Sequence, residues 1–93
     1  MLVRLRIKPG REEEFVTELE RLLPRIRDES ACISITAHRD AEDPSRFLLV
    51  ELWRSTAEFE AFESGSPYLR EYLERVKELW AGPRDLTIWP QAA

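Results

Sequence analysis

The run Arg46–Phe47–Leu48–Leu49–Val50–Glu51–Leu52–Trp53 constrains the fold more than any other part of this 93-residue chain. Between Phe47 and Trp53 only Glu51 is not apolar, and the segment has the length of a strand. Side chains alternate between two faces along a strand, so apolar residues at both odd and even positions require cover on both faces. A chain of 93 residues is too short to cover both faces of a sheet with its own helices. The second face is therefore expected to meet another copy of the protein. Glu51, within the same run, is drawn into surroundings that disfavour charge.

The length corresponds to one domain, expected over residues 1–93. A domain of this size buries only about 60–65% of its extended-chain surface and gains from oligomerisation. Hydrophobic residues at 43% and charged residues at 34% belong to a folded globular domain rather than a disordered one. The net charge of −4 argues against a nucleic-acid partner, which needs concentrated positive charge. Cys32 is the only cysteine, so no intrachain disulfide or thiolate metal site forms, and a reducing compartment fits. The first residues alternate and carry charge, unlike the apolar core of a signal peptide. No apolar stretch approaches the ~20 residues needed to span a bilayer. A cytoplasmic protein without a membrane partner is expected.

Residues 2–8 read as a first strand, with Val3, Leu5 and Ile7 opposite Arg4, Arg6 and Lys8. Pro9-Gly10 breaks it. Glu12, Glu13 and Glu14 then open a helix, where negative charge suits the macrodipole. Phe15, Leu19, Leu22, Leu23 and Ile26 follow as one helical stripe, and Pro24 is expected to kink or loosen its last turn. Residues 32–39 read as a second strand, with Ile33, Ile35 and Ala37 on one face and Ser34, Thr36 and His38 on the other. A polar turn over 40–45 leads to the third strand at 47–53, so a hairpin is expected. Ser55-Thr56-Ala57-Glu58 matches a capping box and starts a helix that ends at Gly65. Ser66-Pro67 caps another, whose stripe is Leu69, Tyr72, Leu73, Val76, Leu79 and Trp80, and which Gly82-Pro83 stops. A fourth strand at 85–89 ends at Pro90.

The order is β-α-β-β-α-α-β, the α+β ferredoxin-like arrangement, with helices on one face of a four-stranded antiparallel sheet. On the third strand Phe47, Leu49, Glu51 and Trp53 share one face, and Leu48, Val50 and Leu52 the other. Neither set suits water. Two sheets packed face to face in a homodimer would satisfy both.

Several segments stand in a recognisable order: Lys8-Pro9-Gly10-Arg11-Glu12-Glu13-Glu14-Phe15 after the first strand, His38-Arg39 and Asp43-Pro44-Ser45-Arg46-Phe47 around the hairpin, then Glu51-Leu52-Trp53 and Ser66-Pro67. In this the chain resembles the antibiotic biosynthesis monooxygenase family, a branch of the dimeric α+β barrel superfamily, over nearly its whole length. The resemblance implies a homodimer. It also implies oxidation of phenolic or quinol-like aromatics by O₂ with no flavin or metal, so no cofactor is expected. Some similar proteins degrade haem, and others have no established activity. This chain departs from the pattern at the family's two histidines, whose matching positions are Phe62 and Tyr68, with one extra residue between them. The haem-degrading relatives use an axial histidine that matches a position near Leu73. His38 is the only histidine here and lies on a strand, which argues against haem degradation.

Within that resemblance Trp53 is expected to stack on a small aromatic, Tyr68 to hydrogen-bond one of its oxygens, and Glu51 to accept the proton removed. Arg39, Phe62 and Tyr72 complete the expected binding set. Each residue also has a plainer reading. Glu51 is either a proton acceptor or the partner of Arg4, Arg6, Arg39 or a group on the second subunit. Trp53 either walls a cavity or simply packs. Phe59, Phe62 and Tyr72 fit helical stripes and hence a core, whereas Tyr68 lies off the Leu69 stripe with its hydroxyl available. His38 belongs to an exposed strand end, and Cys32 to an inert buried thiol. No metal-ligand set, phosphate loop or nucleophile triad can be assembled. Beside the cofactor-free monooxygenase stands an alternative from another class: a non-catalytic homodimer that binds a small apolar ligand or serves as a stress-related module.

Overall fold

A computed structural model describes residues 1–93. Its elements are β1 (Leu2–Arg6), α1 (Glu12–Arg27), β2 (Cys32–Arg39), β3 (Arg46–Trp53), α2 (Thr56–Gly65), α3 (Pro67–Val76), a 3-10 turn (Lys77–Leu79) and β4 (Asp85–Thr87). The four strands form one antiparallel sheet in the order β2-β3-β1-β4. This is the ferredoxin-like α+β fold that the order of apolar patterns predicts. The helices cover one face and leave the other open.

Alternation on β1 sets the layers. Val3, Leu5 and Ile7 are buried under the helices, while Arg4 and Arg6 point to the open face. All five residues of the α1 stripe, Phe15, Leu19, Leu22, Leu23 and Ile26, are buried against them. Phe15 meets Phe47 edge to face, with ring centroids 5.0 Å apart. Pro24 does not end α1, which runs on to Arg27. It closes on long bonds, with the Asp28 N–H shared between the carbonyls of Pro24 and Arg25 at 3.3 Å each.

The turn from β1 into α1 depends on one glycine. The Arg11 N–H donates to the Lys8 carbonyl at 3.1 Å, and Gly10 has φ +84°. Proline then glycine at the two central positions is the chemistry of a type II turn, whose second central residue needs positive φ. Nothing crowds a Cβ at position 10, so the cost of Gly10→Ala is purely conformational. We expect that substitution to destabilise the fold by about 1 kcal/mol, read as a lower urea midpoint at unchanged slope. An unchanged midpoint would show that the turn relaxes freely.

Three sequence expectations are corrected. Ile33 does not share the buried face with Ile35. The pairing steps from Cys32↔Trp53 to Ser34↔Leu52, so two residues of β2 oppose one of β3. This bulge buries both Cys32 and Ile35 and turns Ile33 out to 59% exposure. Trp80 is not on the α3 stripe. The helix ends at Val76, the chain tightens through the 3-10 turn, and Trp80 takes extended backbone at φ −75°, ψ 132°. An antiparallel bridge to Ile7 draws it onto the sheet edge. Finally, β4 stops at Thr87 rather than at residue 89, because Thr87 already pairs with Leu2, the first residue of β1. Ile88 and Trp89 run on past the sheet and are exposed.

The open face carries an apolar strip made by Leu48, Val50 and Leu52 of β3, with Leu2 beside Val50 in register. Val50 is 40% and Leu52 51% exposed. No helix of the chain is long and apolar enough to cross a membrane.

Candidate functional site

Between the sheet and the helices lies a cavity of about 50 Å³, and thirteen of its sixteen lining residues are hydrophobic. The sheet contributes Val3, Leu5, Ile35, Leu49 and Glu51. Phe59, Phe62 and Glu63 come from α2, Tyr72 from α3, and Trp80 and Arg84 from the segment before β4.

Glu51 is the buried carboxylate of the structure, at 9% exposure. Alternation along β3 puts it on the helix-facing side with Phe47 and Leu49. None of the arginines named from the sequence reaches it. Arg4 pairs with Asp85 at 3.7 Å, Arg6 with Asp43 at 3.4 Å and Arg39 with Glu13 at 3.0 Å. Those three sit at the opposite end of the sheet or on its open face, where alternation and register direct them. The partner of Glu51 is instead the Trp53 indole, whose Nε1–H donates to its Oε1 at 2.9 Å. Its backbone is clamped to Met1 by two 2.9 Å bonds, N–H to Met1 O and Met1 ammonium to Glu51 O. Burial pushes its pKa above the ordinary 4.5, and the Trp53 hydrogen bond opposes only part of this.

Trp53 is half-buried. Its ring packs on Phe59 at 5.3 Å and on Phe62 at 5.1 Å between centroids, so it braces the aromatic ceiling that α2 lays over the cavity. Phe62 also meets Tyr68 at 5.9 Å. Tyr68 itself does not line the cavity. Its hydroxyl donates to Glu29 Oε1 at 2.9 Å, and the Arg25 guanidinium lies 4.0 Å from its ring centroid. Tyr72 does line the cavity and is buried. Burial holds both phenols well above their usual value, so each stays protonated at neutral pH and is a donor rather than a phenolate. Arg39 lies away from this group, with its guanidinium on the Pro44 carbonyl at 2.8 Å and over the Phe47 ring. Thus Glu51, Phe62 and Tyr72 converge on the cavity, Trp53 supports two of its walls, and Tyr68 and Arg39 stand outside it.

Sequence reasoning missed three polar liners. Glu63 and Arg84 form a half-buried ion pair at 2.6 Å that ties α2 to the segment before β4. Their separation in the chain left no local signal. Trp80 was assigned to a helical stripe, and only its pairing with Ile7 reveals its place. His38 is exposed and shares a 2.8 Å hydrogen bond with Thr36. Cys32 is buried, and burial raises its pKa, so its thiol is a poor nucleophile. No cluster of three or more His, Cys, Asp or Glu residues could hold a metal ion.

Fold and site together define a ferredoxin-like domain with a lone buried carboxylate on the wall of an aromatic-lined cavity. The chain belongs to the antibiotic biosynthesis monooxygenase family, whose sequence model matches residues 1–78. The uncharacterised protein sll1783 of Synechocystis is 29% identical over 85 residues, which cover 91% of this chain and 57% of that protein. This chain therefore spans little more than half of that relative. A solved structure from Nitrosomonas europaea, which carries the same family's name, superposes with a TM-score of 0.91 at 20% identity, over 98% of this chain and 86% of that one. Rv0793 of Mycobacterium tuberculosis superposes with a TM-score of 0.83 at 23% identity, over 99% and 95%. At such identities the structural matches speak for the fold alone.

Proposed function

We propose that this protein is a cofactor-independent monooxygenase that oxidises a small aromatic of the phenol or quinol type with O₂, and that it works as a homodimer in the cytoplasm. The observation that carries the reading is Glu51: a buried carboxylate on an apolar wall whose proton affinity is raised by burial, even though the Trp53 hydrogen bond, the Met1 ammonium and Arg84 pull the other way. Such a group accepts a proton from a weakly acidic carbon or hydroxyl more readily than an exposed carboxylate does. The electron-rich anion left behind reduces O₂ directly. For an anthrone the balance is complete without another reductant. The ring CH₂ loses both hydrogens and becomes C=O with one oxygen atom of O₂, and the second oxygen leaves as water. Aromatic walls and exclusion of water favour that anion's reaction over its reprotonation from solvent.

A planar aromatic needs more than 50 Å³. Access falls to α2, which buries only Phe59 among its ten residues, fewer than α1 or α3. Beyond the helix-facing side, the apolar open face supports the dimer, since a solvent-exposed strip of Leu48, Val50 and Leu52 has no cover within the chain.

The second reading, a non-catalytic homodimer that binds a small apolar ligand or acts as a stress-related module, is favoured by the small cavity volume and by Phe62 and Tyr68 at the family's histidine positions. Oxidation of dithranol, an anthrone, under air with EDTA present separates the two. Conversion to the quinone with O₂ uptake above the uncatalysed rate supports the enzyme. Binding without turnover leaves the second reading standing.

A further inference from the structure

Trp80 Nε1 is the one buried side-chain nitrogen or oxygen in the chain without a hydrogen-bond partner. An orphaned buried donor is costly, and folded chains keep few. The backbone that carries the ring is held on both sides. Its backbone is bridged to Ile7, the Lys8 N–H donates to Leu79 O at 2.8 Å, and the Ala81 N–H donates to Arg6 O at 2.7 Å. The Trp80 backbone is therefore pinned at both sides to the edge of β1, and the residue lines the cavity that Glu51 and Tyr72 also line. The other charged liners are already committed. Glu63 and Arg84 hold each other, and Glu51 accepts from Trp53.

An indole N–H only donates, so whatever satisfies it must bring an acceptor. We infer that the Trp80 indole is the positioning donor for an oxygen of the bound aromatic, the phenolic or keto oxygen on which negative charge gathers when Glu51 takes the proton. This rests on the reading of the cavity as the aromatic site. A rigid, dry donor strengthens as that oxygen becomes anionic, so the contact orients the ring and favours the anion together. The ligand class follows: a fused-ring aromatic bearing an oxygen, in preference to the bare hydrocarbon.

The test compares naphthol with naphthalene, two ligands of nearly equal size that differ by the oxygen. The chain has three tryptophans, hence three indole N–H signals in a ¹⁵N-labelled sample. Naphthol is expected to move the Trp80 indole proton downfield, and naphthalene is not. Trp80→Phe is expected to weaken naphthol about tenfold and to leave naphthalene unchanged. Equal weakening of both ligands would overturn the inference, because the ring would then serve as packing alone. So would a stationary Trp80 signal while the Glu51 and Tyr72 amides shift with naphthol, and that result would leave the aromatic site intact. If neither ligand moves any resonance of the cavity, the aromatic site itself fails and the role of Trp80 fails with it.

Discussion

Glutamine at position 51 is expected to make the protein at least a hundredfold slower in dithranol oxidation and, at neutral pH, more stable. Both effects come from one property. A positioned general base contributes roughly 10²–10⁴ in rate, and glutamine retains the shape and the acceptor for the Trp53 N–H while losing the basicity. The stability change has a definite sign. Burial makes the folded-state pKa higher than the unfolded one, so the protonated carboxyl fits the fold and the ionised one strains it. The stability linked to Glu51 is complete below its ordinary value of 4.5 and is lost as pH rises through the higher folded value. Glu51→Gln does not titrate and escapes that loss. Thermal midpoints of the two proteins should therefore coincide in acid and diverge as pH rises, with the variant above by a few degrees. A gap constant with pH would mean that Glu51 is not strained by ionisation. Unchanged turnover would remove it from the chemistry.

Aspartate at position 52 is expected to abolish the proposed dimer. Leu52 lies beside Val50 and Leu48 on the strip that no helix covers, and its side chain is half exposed in the single chain. An unpaired charge buried there costs about 3–5 kcal/mol, and two-fold symmetry places it in the interface twice. The combined cost raises the dissociation constant by several orders of magnitude. The native chain should sediment at micromolar concentration at twice its 11.0 kDa subunit mass, and Leu52→Asp at the subunit mass. The isolated variant should also unfold at lower urea, since a domain this small has little apolar burial to spare. A native chain that sediments as a stable single subunit would refute the dimer and, with it, the explanation of why β3 is apolar on both sides.

Most of the fold was legible because its elements rest on local periodicity. The α1 stripe, the Ser55 and Ser66 caps and the alternation of Val3, Leu5 and Ile7 each announce an element within a few residues. The structure adds that Ser55 and Ser66 do accept the N–H groups of Glu58 and Leu69. The candidate site was legible only in part. Glu51 stood out as one carboxylate in an apolar strand, and its burial follows from which face of β3 meets the helices. Its expected arginine partner did not appear, because register sends Arg4, Arg6 and Arg39 to other carboxylates. The Trp53 indole, two residues along on the same face, is the nearer donor. Phe62 and Tyr72 reach the cavity as helical stripes predict. Tyr68 does not, since its place off the stripe turns its hydroxyl toward Glu29 on the loop after α1.

Read alone, the amino-acid order determined the elements, their sequence along the chain, the two-sided apolar strand and the isolation of one carboxylate within it. These are consequences of spacings of two to four residues, which a chain displays without knowing its partners. The tertiary structure decided the rest: the bulge that expels Ile33, the bridge that carries Trp80 from a helix onto the sheet edge, and the ion pair between Glu63 and Arg84. Each depends on which distant segments compete for the same backbone and charged groups, and that competition is settled only when the whole sheet has closed.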